Sequence, residues 1–183
     1  MISSILSILD VYNSLFPDED LSDLRSLLLV NGDQILNKKY TNKGHITVSA
    51  VVLNPIKSIL LVNHGKIQRW LPPGGHIEDT DLSLPDAIYR ELHEEIGLTK
   101  KDLIPLNKNT NENIIPIDIN QHNILEPVKH VHYDFRYIFR TESNNILLNK
   151  DELRDYVWCT VDDFNHLLPN EGQLTKKIRT ISL

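Results

Sequence analysis

The chain has 183 residues, enough for one sizeable domain or a domain with a small appendage. Its 40% hydrophobic and 24% charged content is that of a globular protein, and a net charge of −6 argues against gripping long nucleic acid by bulk charge. The single cysteine, Cys159, excludes an intramolecular disulfide, and no apolar run approaches a membrane span. The apolar start MISSILSIL lacks a basic flank and is cut short by Asp10, so it does not read as a signal peptide. The expectation is a cytoplasmic protein with no membrane partner.

Residues 1–44 read as a helical extension. Ile2, Leu6, Leu9, Tyr12 and Phe16 follow a helical stripe, which Pro17-Asp18-Glu19-Asp20 breaks. Asp20 can cap a second helix carrying Leu21, Leu24 and Leu28, and Asn31-Gly32-Asp33 ends it. This hairpin could pack on the main domain, roof a pocket or make a homodimer contact. Two short helices alone would be marginal, so packing is the expectation.

The main domain is expected over residues 45–183. Ile46 to Leu53 and Ser58 to Val62 read as a strand pair around an Asn54-Pro55 turn. Lys66 and Arg69 follow, and either could hold a substrate phosphate or be an ordinary exposed cation. Then come Pro72-Pro73-Gly74-Gly75, a turn whose glycines let backbone approach a ligand without an intervening Cβ.

The next helix has two arcs. Leu84, Ile88, Leu92 and Ile96 recur every four residues and should be buried. Ser83 and Asp86 can form a capping box, and Gly97 supplies the stop. Glu91, Glu94 and Glu95 fall within an arc of roughly 100°. Like charges at that spacing repel, so something positive belongs on this face. Carboxylate oxygens suit hard cations such as Mg²⁺ or Mn²⁺, which also coordinate phosphates.

Downstream, Lys100 to Asn113 is a polar loop, and Ile114 to Ile119 reads as a strand. His130 to Arg140 is the clearest strand. Val131, Tyr133, Phe135, Tyr137 and Phe139 take one face, and His130, His132, Asp134, Arg136 and Arg140 take the other, with Ile138 out of pattern. His130, His132 and Asp134, with His122 upstream, could line a pocket, take part in acid–base work, bind a second metal, or simply face solvent. Tyr156 to Cys159 fits a late strand. Thr160 with Asp163 can cap a helix, and a last helix would carry Leu174, Ile178 and Ile181.

Residues 71–98 resemble the Nudix box, G-x5-E-x7-R-E-U-x-E-E-x-G-U, where U is bulky and aliphatic. Gly75 matches its first glycine, and Arg90-Glu91-Leu92-x-Glu94-Glu95-x-Gly97-Leu98 matches its second half. The first half departs: one extra residue lies before Arg90, and Asp81 stands where a glutamate is expected, so that Asp79 or Asp81 could fill its role. The wider run, from GHITVSAVVLNP to HYDFRY, is similar to a group of uncharacterised bacterial Nudix proteins.

The resemblance implies a Nudix α/β/α sandwich with a mixed central sheet, here with an N-terminal helical hairpin. It implies metal-dependent cleavage of a phosphoanhydride in a nucleoside diphosphate linked to another moiety, X. Glu91, Glu94 and Glu95 would ligate Mg²⁺ or Mn²⁺, with Asp81 and a backbone carbonyl near Gly75 as further ligands. Arg90 would hold the carboxylates in place. The general base could be a box glutamate, Glu126 or Glu152. Two alternatives are a Nudix-fold nucleotide sensor without hydrolysis and an isoprenoid diphosphate isomerase, whose chemistry commonly needs a cysteine such as Cys159.

Overall fold

The computed structural model describes residues 1–40, 42–109, 111–125 and 128–181. Two helices open the chain, α1 (Ile2–Leu15) and α2 (Ser22–Asn31), followed by a short 3₁₀ segment (Gly32–Leu36). Asp20 accepts a hydrogen bond from the Ser22 amide at 2.9 Å, and Gly32 leaves the helix at φ 53°. Strands β1 (His45–Leu53), β2 (Ile59–His64), β3 (Arg69–Leu71) and β4 (Gly74–His76) precede helix α3 (Leu84–Ile96). Then come β5 (Ile104–Pro105), β6 (Asp118–Ile124), β7 (His130–Arg140), β8 (Leu153–Cys159), α4 (Val161–Leu167) and α5 (Gly172–Ile181).

The strands form one mixed sheet. β1 and β7 run parallel, from His45 opposite His132 to Leu53 opposite Arg140. The other pairings are antiparallel: β4 flanks the start of β1, β2 its end, β3 and β8 flank β2, and β5 and β6 flank β7.

Period-two alternation divides the side chains between the two faces. Ile46, Val48, Ala50 and Val52 of β1, with Tyr133, Phe135, Tyr137 and Phe139 of β7, pack against Leu84, Ile88, Leu92 and Ile96 of α3. Ile5 and Leu9 of α1 and Leu24 and Leu28 of α2 belong to the same core. The opposite face is apolar only where α4 and α5 cover it. There Val51, Leu53 and Ile138 meet Phe164, Leu174 and Ile178. Ile138 breaks the polar pattern of β7 because it lies under these helices. Beyond their reach the face turns polar: His45, Thr47 and Ser49 on β1 lie beside His132, Asp134 and Arg136 on β7.

An ionic cluster ties the N-terminal hairpin to α5. Lys177 Nζ lies 2.7 Å from Asp118 Oδ1, 2.7 Å from the Tyr12 hydroxyl and 2.5 Å from Glu19. The Tyr12 oxygen also accepts the Ile119 amide at 3.1 Å. The hairpin thus packs through apolar contacts and through a buried polar anchor.

One strand lies later than expected. The sequence reading places it over Ile114 to Ile119, whereas β6 spans Asp118–Ile124. Pro116 has no amide hydrogen, and the first ladder-like bond on this side comes from the Ile117 amide to the Arg136 carbonyl at 2.7 Å. The strand is polar because it lies beside the polar part of β7.

Cys159 is buried on β8, its thiol 3.5 Å from the Ile59 carbonyl. Burial and the nearby Asp163 charge push the thiol up to about 11. It should therefore be inert in the folded protein. A thiol-reactive disulfide reagent at neutral pH is expected to label the native chain slowly and the urea-unfolded chain at once. Equal rates would show an accessible, reactive thiol.

Candidate functional site

Helix α3 is set by its ends. The Ser83 hydroxyl accepts the Asp86 amide at 3.2 Å, and Gly97 stops the helix at φ 72°, in the left-handed region. Between them the apolar stripe fixes the rotation of the helix on the sheet, which turns the acidic arc toward the glycine turn. Glu95 is 4% exposed and accepts the Gly74 amide at 2.8 Å. The Glu91 carboxylate occupies the space a side chain would take at residue 75. A Cβ built on Gly75 would lie 2.6 Å from Glu91 Oε1. Gly74 is more constrained still, with φ 151° and the Val48 carbonyl 2.2 Å from where its Cβ would be.

Arg90 organises the carboxylates. Its Nη1 reaches Glu91 at 3.0 Å and Glu94 at 2.9 Å. Nε and one Nη2 hydrogen grip Asp81 at 3.0 and 2.8 Å, and Nη2 also donates to the His76 carbonyl at 2.8 Å. Asp81 is buried, and it additionally accepts the Glu78 amide. Its two oxygens are thus engaged by Arg90 and backbone, while Asp79 is exposed on the loop. Glu94 stays half exposed.

Glu152 joins from outside the box. The Asn149 amide donates to the Glu95 carbonyl at 2.9 Å, and the Glu152 carbonyl accepts the Gly65 amide at 2.7 Å. These bonds bring the 149–152 turn up to the end of α3, where the Glu152 charge acts on both Glu91 and Glu95. Glu126 lies outside the described residues. Lys66 and Arg69 are both exposed on the β2–β3 hairpin, whose Gly65 makes that same bond.

The electrostatics show a surplus of negative charge. Burial, then the charges of Glu91, Glu152 and Glu94, push the Glu95 carboxyl up to about 8. Burial also raises Glu91, against the pull of Arg90. An all-oxygen donor set, crowded against glycine backbone and short of positive charge, fits a hard divalent cation. Glu91 and Glu95 would hold it, with Glu94 at the exposed edge.

The polar sheet face carries a second group. Asp134 is saturated: Thr47, Ser49 and Arg136 donate to it at 3.1, 2.7 and 2.9 Å. Burial would raise its carboxyl, but Arg136 and Ser49 outweigh burial and hold it below the usual range. Arg136 also pairs with Glu171 at the start of α5. His130 and His132 do not stand alone. The His45 ring lies 4.9 Å from that of His130 and 4.6 Å from that of His132, and His76 and His122 each lie 5.3 Å from His132. Burial, helped by neighbouring histidines, lowers His132 to about 3 and His76 to about 4, so both rings are neutral at physiological pH. His45 and His76 escape the sequence pattern because the apolar run starts only at Ile46 and β4 is three residues long. Placing His45 as the first residue of the period-two strand would have put it on the polar face.

The mixed sheet, its flanking helices and the closure of an acidic helix on a glycine turn define an α/β/α protein with a built carboxylate site. Residues 43–179 match the NUDIX domain family, and the chain belongs to it. A probable DHNTP pyrophosphohydrolase of Lactococcus lactis subsp. cremoris is 32% identical over 115 residues, 63% of this chain and 65% of the relative. An RNA pyrophosphohydrolase of Haemophilus ducreyi is 38% identical over 56 residues, 31% of this chain and 28% of the relative. The matches thus span less than two thirds of either relative's length. The crystal structure of a Nudix-family hydrolase from Clostridium perfringens superposes with a TM-score of 0.58, at 25% identity, covering 74% of this chain and 97% of that one.

Two expectations follow from the carboxylate site. Gly75→Ala should leave a folded protein, since only the tip of the Glu91 side chain must move, but should weaken Mg²⁺ binding measured by calorimetry. Unchanged affinity would place the cation elsewhere. The second concerns pH. The raised Glu95 carboxyl favours the fold only while protonated, so its contribution is full below about 4.5 and is lost as pH rises through about 8. With chelator present, wild type should lose more melting temperature across that window than Glu95→Gln. Parallel curves would refute the shift.

Proposed function

We propose that this chain is a pyrophosphohydrolase that uses Mg²⁺ or Mn²⁺ to cleave a phosphoanhydride bond in a nucleoside diphosphate derivative. The observation that carries this reading is the pair of carboxylates, Glu91 and Glu95, closed against the Gly74-Gly75 backbone, with Glu91 clamped by Arg90. Nudix enzymes generally use divalent metals, and the names of the curated relatives point to the same bond type. When bound, such a metal neutralises diphosphate charge and makes water nucleophilic at neutral pH.

The chain's own residues divide the remaining work. Glu91 and Glu95 bind, and Glu94 completes the set from the exposed edge. Asp81 is assigned to Arg90 rather than to the metal, because the guanidinium grips both of its oxygens. Arg90 in turn fixes Glu91 and Glu94, and its bond to the His76 carbonyl fixes the backbone just after Gly75. Glu152 is the base candidate outside the box: it is exposed, and its charge reaches both buried carboxylates. Lys66 and Arg69, exposed on the β2–β3 turn, would meet a phosphate. The polar sheet face, with His130, His132 and Asp134, is where X would be read.

The test is product release with Mg²⁺ and with Mn²⁺ across nucleoside and pterin triphosphates, nucleotide sugars, dinucleotides and dinucleoside polyphosphates. Metal assistance is worth several kcal/mol, and each 1.36 kcal/mol is tenfold in rate. Glu95→Gln should therefore cut turnover by roughly 100-fold or more while melting near wild type. Full activity in that variant would remove α3 from the mechanism. Binding without product across the panel would instead identify a nucleotide sensor.

A further inference from the structure

We propose that His45, His130 and His132 form a second metal site, separate from the carboxylates of α3, that takes a Zn²⁺-class transition-metal ion. One ring nitrogen from each of the three lies within 4.8 Å of the others. Parallel pairing of β1 with β7 sets His45 opposite His132, and period two puts His130 on the same face.

The hydrogen bonds prepare the rings. His45 Nδ1 lies 3.2 Å from the Tyr40 carbonyl, and His130 Nδ1 lies 2.6 Å from the Val128 carbonyl. A carbonyl only accepts, so in both rings the proton sits on Nδ1 and Nε2 keeps its lone pair. This is the outer arrangement that metal-binding histidines characteristically have, with the far nitrogen donating to a carbonyl. His45 Nε2 is buried and has no hydrogen-bond partner. A buried polar atom left in that state is costly unless something else satisfies it. His130 Nε2 and His132 Nε2 are 3.0 Å apart. In a tetrahedral site with Zn–N bonds of about 2.0–2.1 Å, ligand nitrogens stand about 3.3–3.4 Å apart. That pair needs only to open slightly, and His45, within 4.8 Å, closes the set by a ring movement. With His130 Nε2 an acceptor, the bridging proton belongs to His132. On metal binding that proton moves to His132 Nδ1, and no net charge is lost from the ring.

Three neutral imidazoles select Zn²⁺ and its neighbours over Mg²⁺, which prefers oxygen. His130 and His132 are only partly buried, which gives an ion a way in and leaves a fourth position for water or an anionic oxygen. The site adjoins His76, whose ring lies 5.1 Å from that of His45 and whose carbonyl holds Arg90. The two sites therefore share a border at β4 without sharing a ligand.

The probe is Co²⁺, titrated into tag-free protein in excess Mg²⁺ and followed by visible absorption. One equivalent should bind with the intense bands of tetrahedral nitrogen coordination, and Glu91→Gln should leave them intact. His130→Ala removes a half-buried ring, and its melting temperature checks that the fold is kept. It should weaken binding by more than roughly 100-fold, beyond what loss of an outer partner alone produces. His45→Gln should do the same. The proposal is overturned if wild type binds no stoichiometric tetrahedral Co²⁺, if both histidine variants bind like wild type, or if the signal disappears in Glu91→Gln. None of these readouts depends on catalytic activity, so each stands whether or not the chain is a hydrolase.

Discussion

Arg90 has five N–H groups, and the contacts around it use its whole fork: Asp81 twice, Glu91, Glu94 and the His76 carbonyl. A lysine could place a charge there but could not span these directions. Four carboxylates converge on a small volume beside a glycine turn, and one guanidinium keeps two of the acidic helix residues and the preceding loop in register. The cation neutralises only part of that charge. Burial and the crowding it leaves raise the Glu91 and Glu95 carboxyls, and a divalent ion would relieve that crowding. Helix packing below and charge balance above thus depend on the same thirteen-residue helix.

The sheet adds a gradient along its second face. Under α4 and α5 it is apolar, and toward the start of β1 it becomes polar and rich in histidine. One parallel strand pairing produces this, because it aligns like residues of β1 and β7 at each step: His45 with His132, Thr47 with Asp134, Ser49 with Arg136, Val51 with Ile138. Glycine turn β4 borders the polar end through Thr47 opposite His76. The carboxylates and the histidines are consequently neighbours across a short strand, though they lie on different elements.

Much of this was legible in the residues. The four-residue apolar repeat, Ser83 and Gly97 specify α3, and Thr160 with Asp163 specifies the start of α4. Those signals are local, so they need no knowledge of partners. Long-range pairings were not legible. Nothing near Asp81 in sequence says that its oxygens face Arg90, because that depends on how the 77–83 loop folds back. His45 and His132 lie 87 positions apart and meet only through strand register. Ile138 departs from the β7 pattern because α4 and α5, far away in sequence, cover it. The family match and the hydrophobic pattern together identify the fold, while charge placement within the site is a tertiary property.

The family match begins at residue 43, but the packed unit begins earlier. Ile5, Leu9, Leu24 and Leu28 lie in the same core as α3, and Tyr12 inserts its hydroxyl among Lys177, Glu19 and the Ile119 amide. A fragment cut at the family boundary would bare part of that core and leave Lys177 without Tyr12 and Glu19. The segment that matches the family and the segment that shares one core are therefore different lengths of chain. For this protein, domain boundaries taken from similarity describe ancestry, and those taken from packing describe which segments share a core.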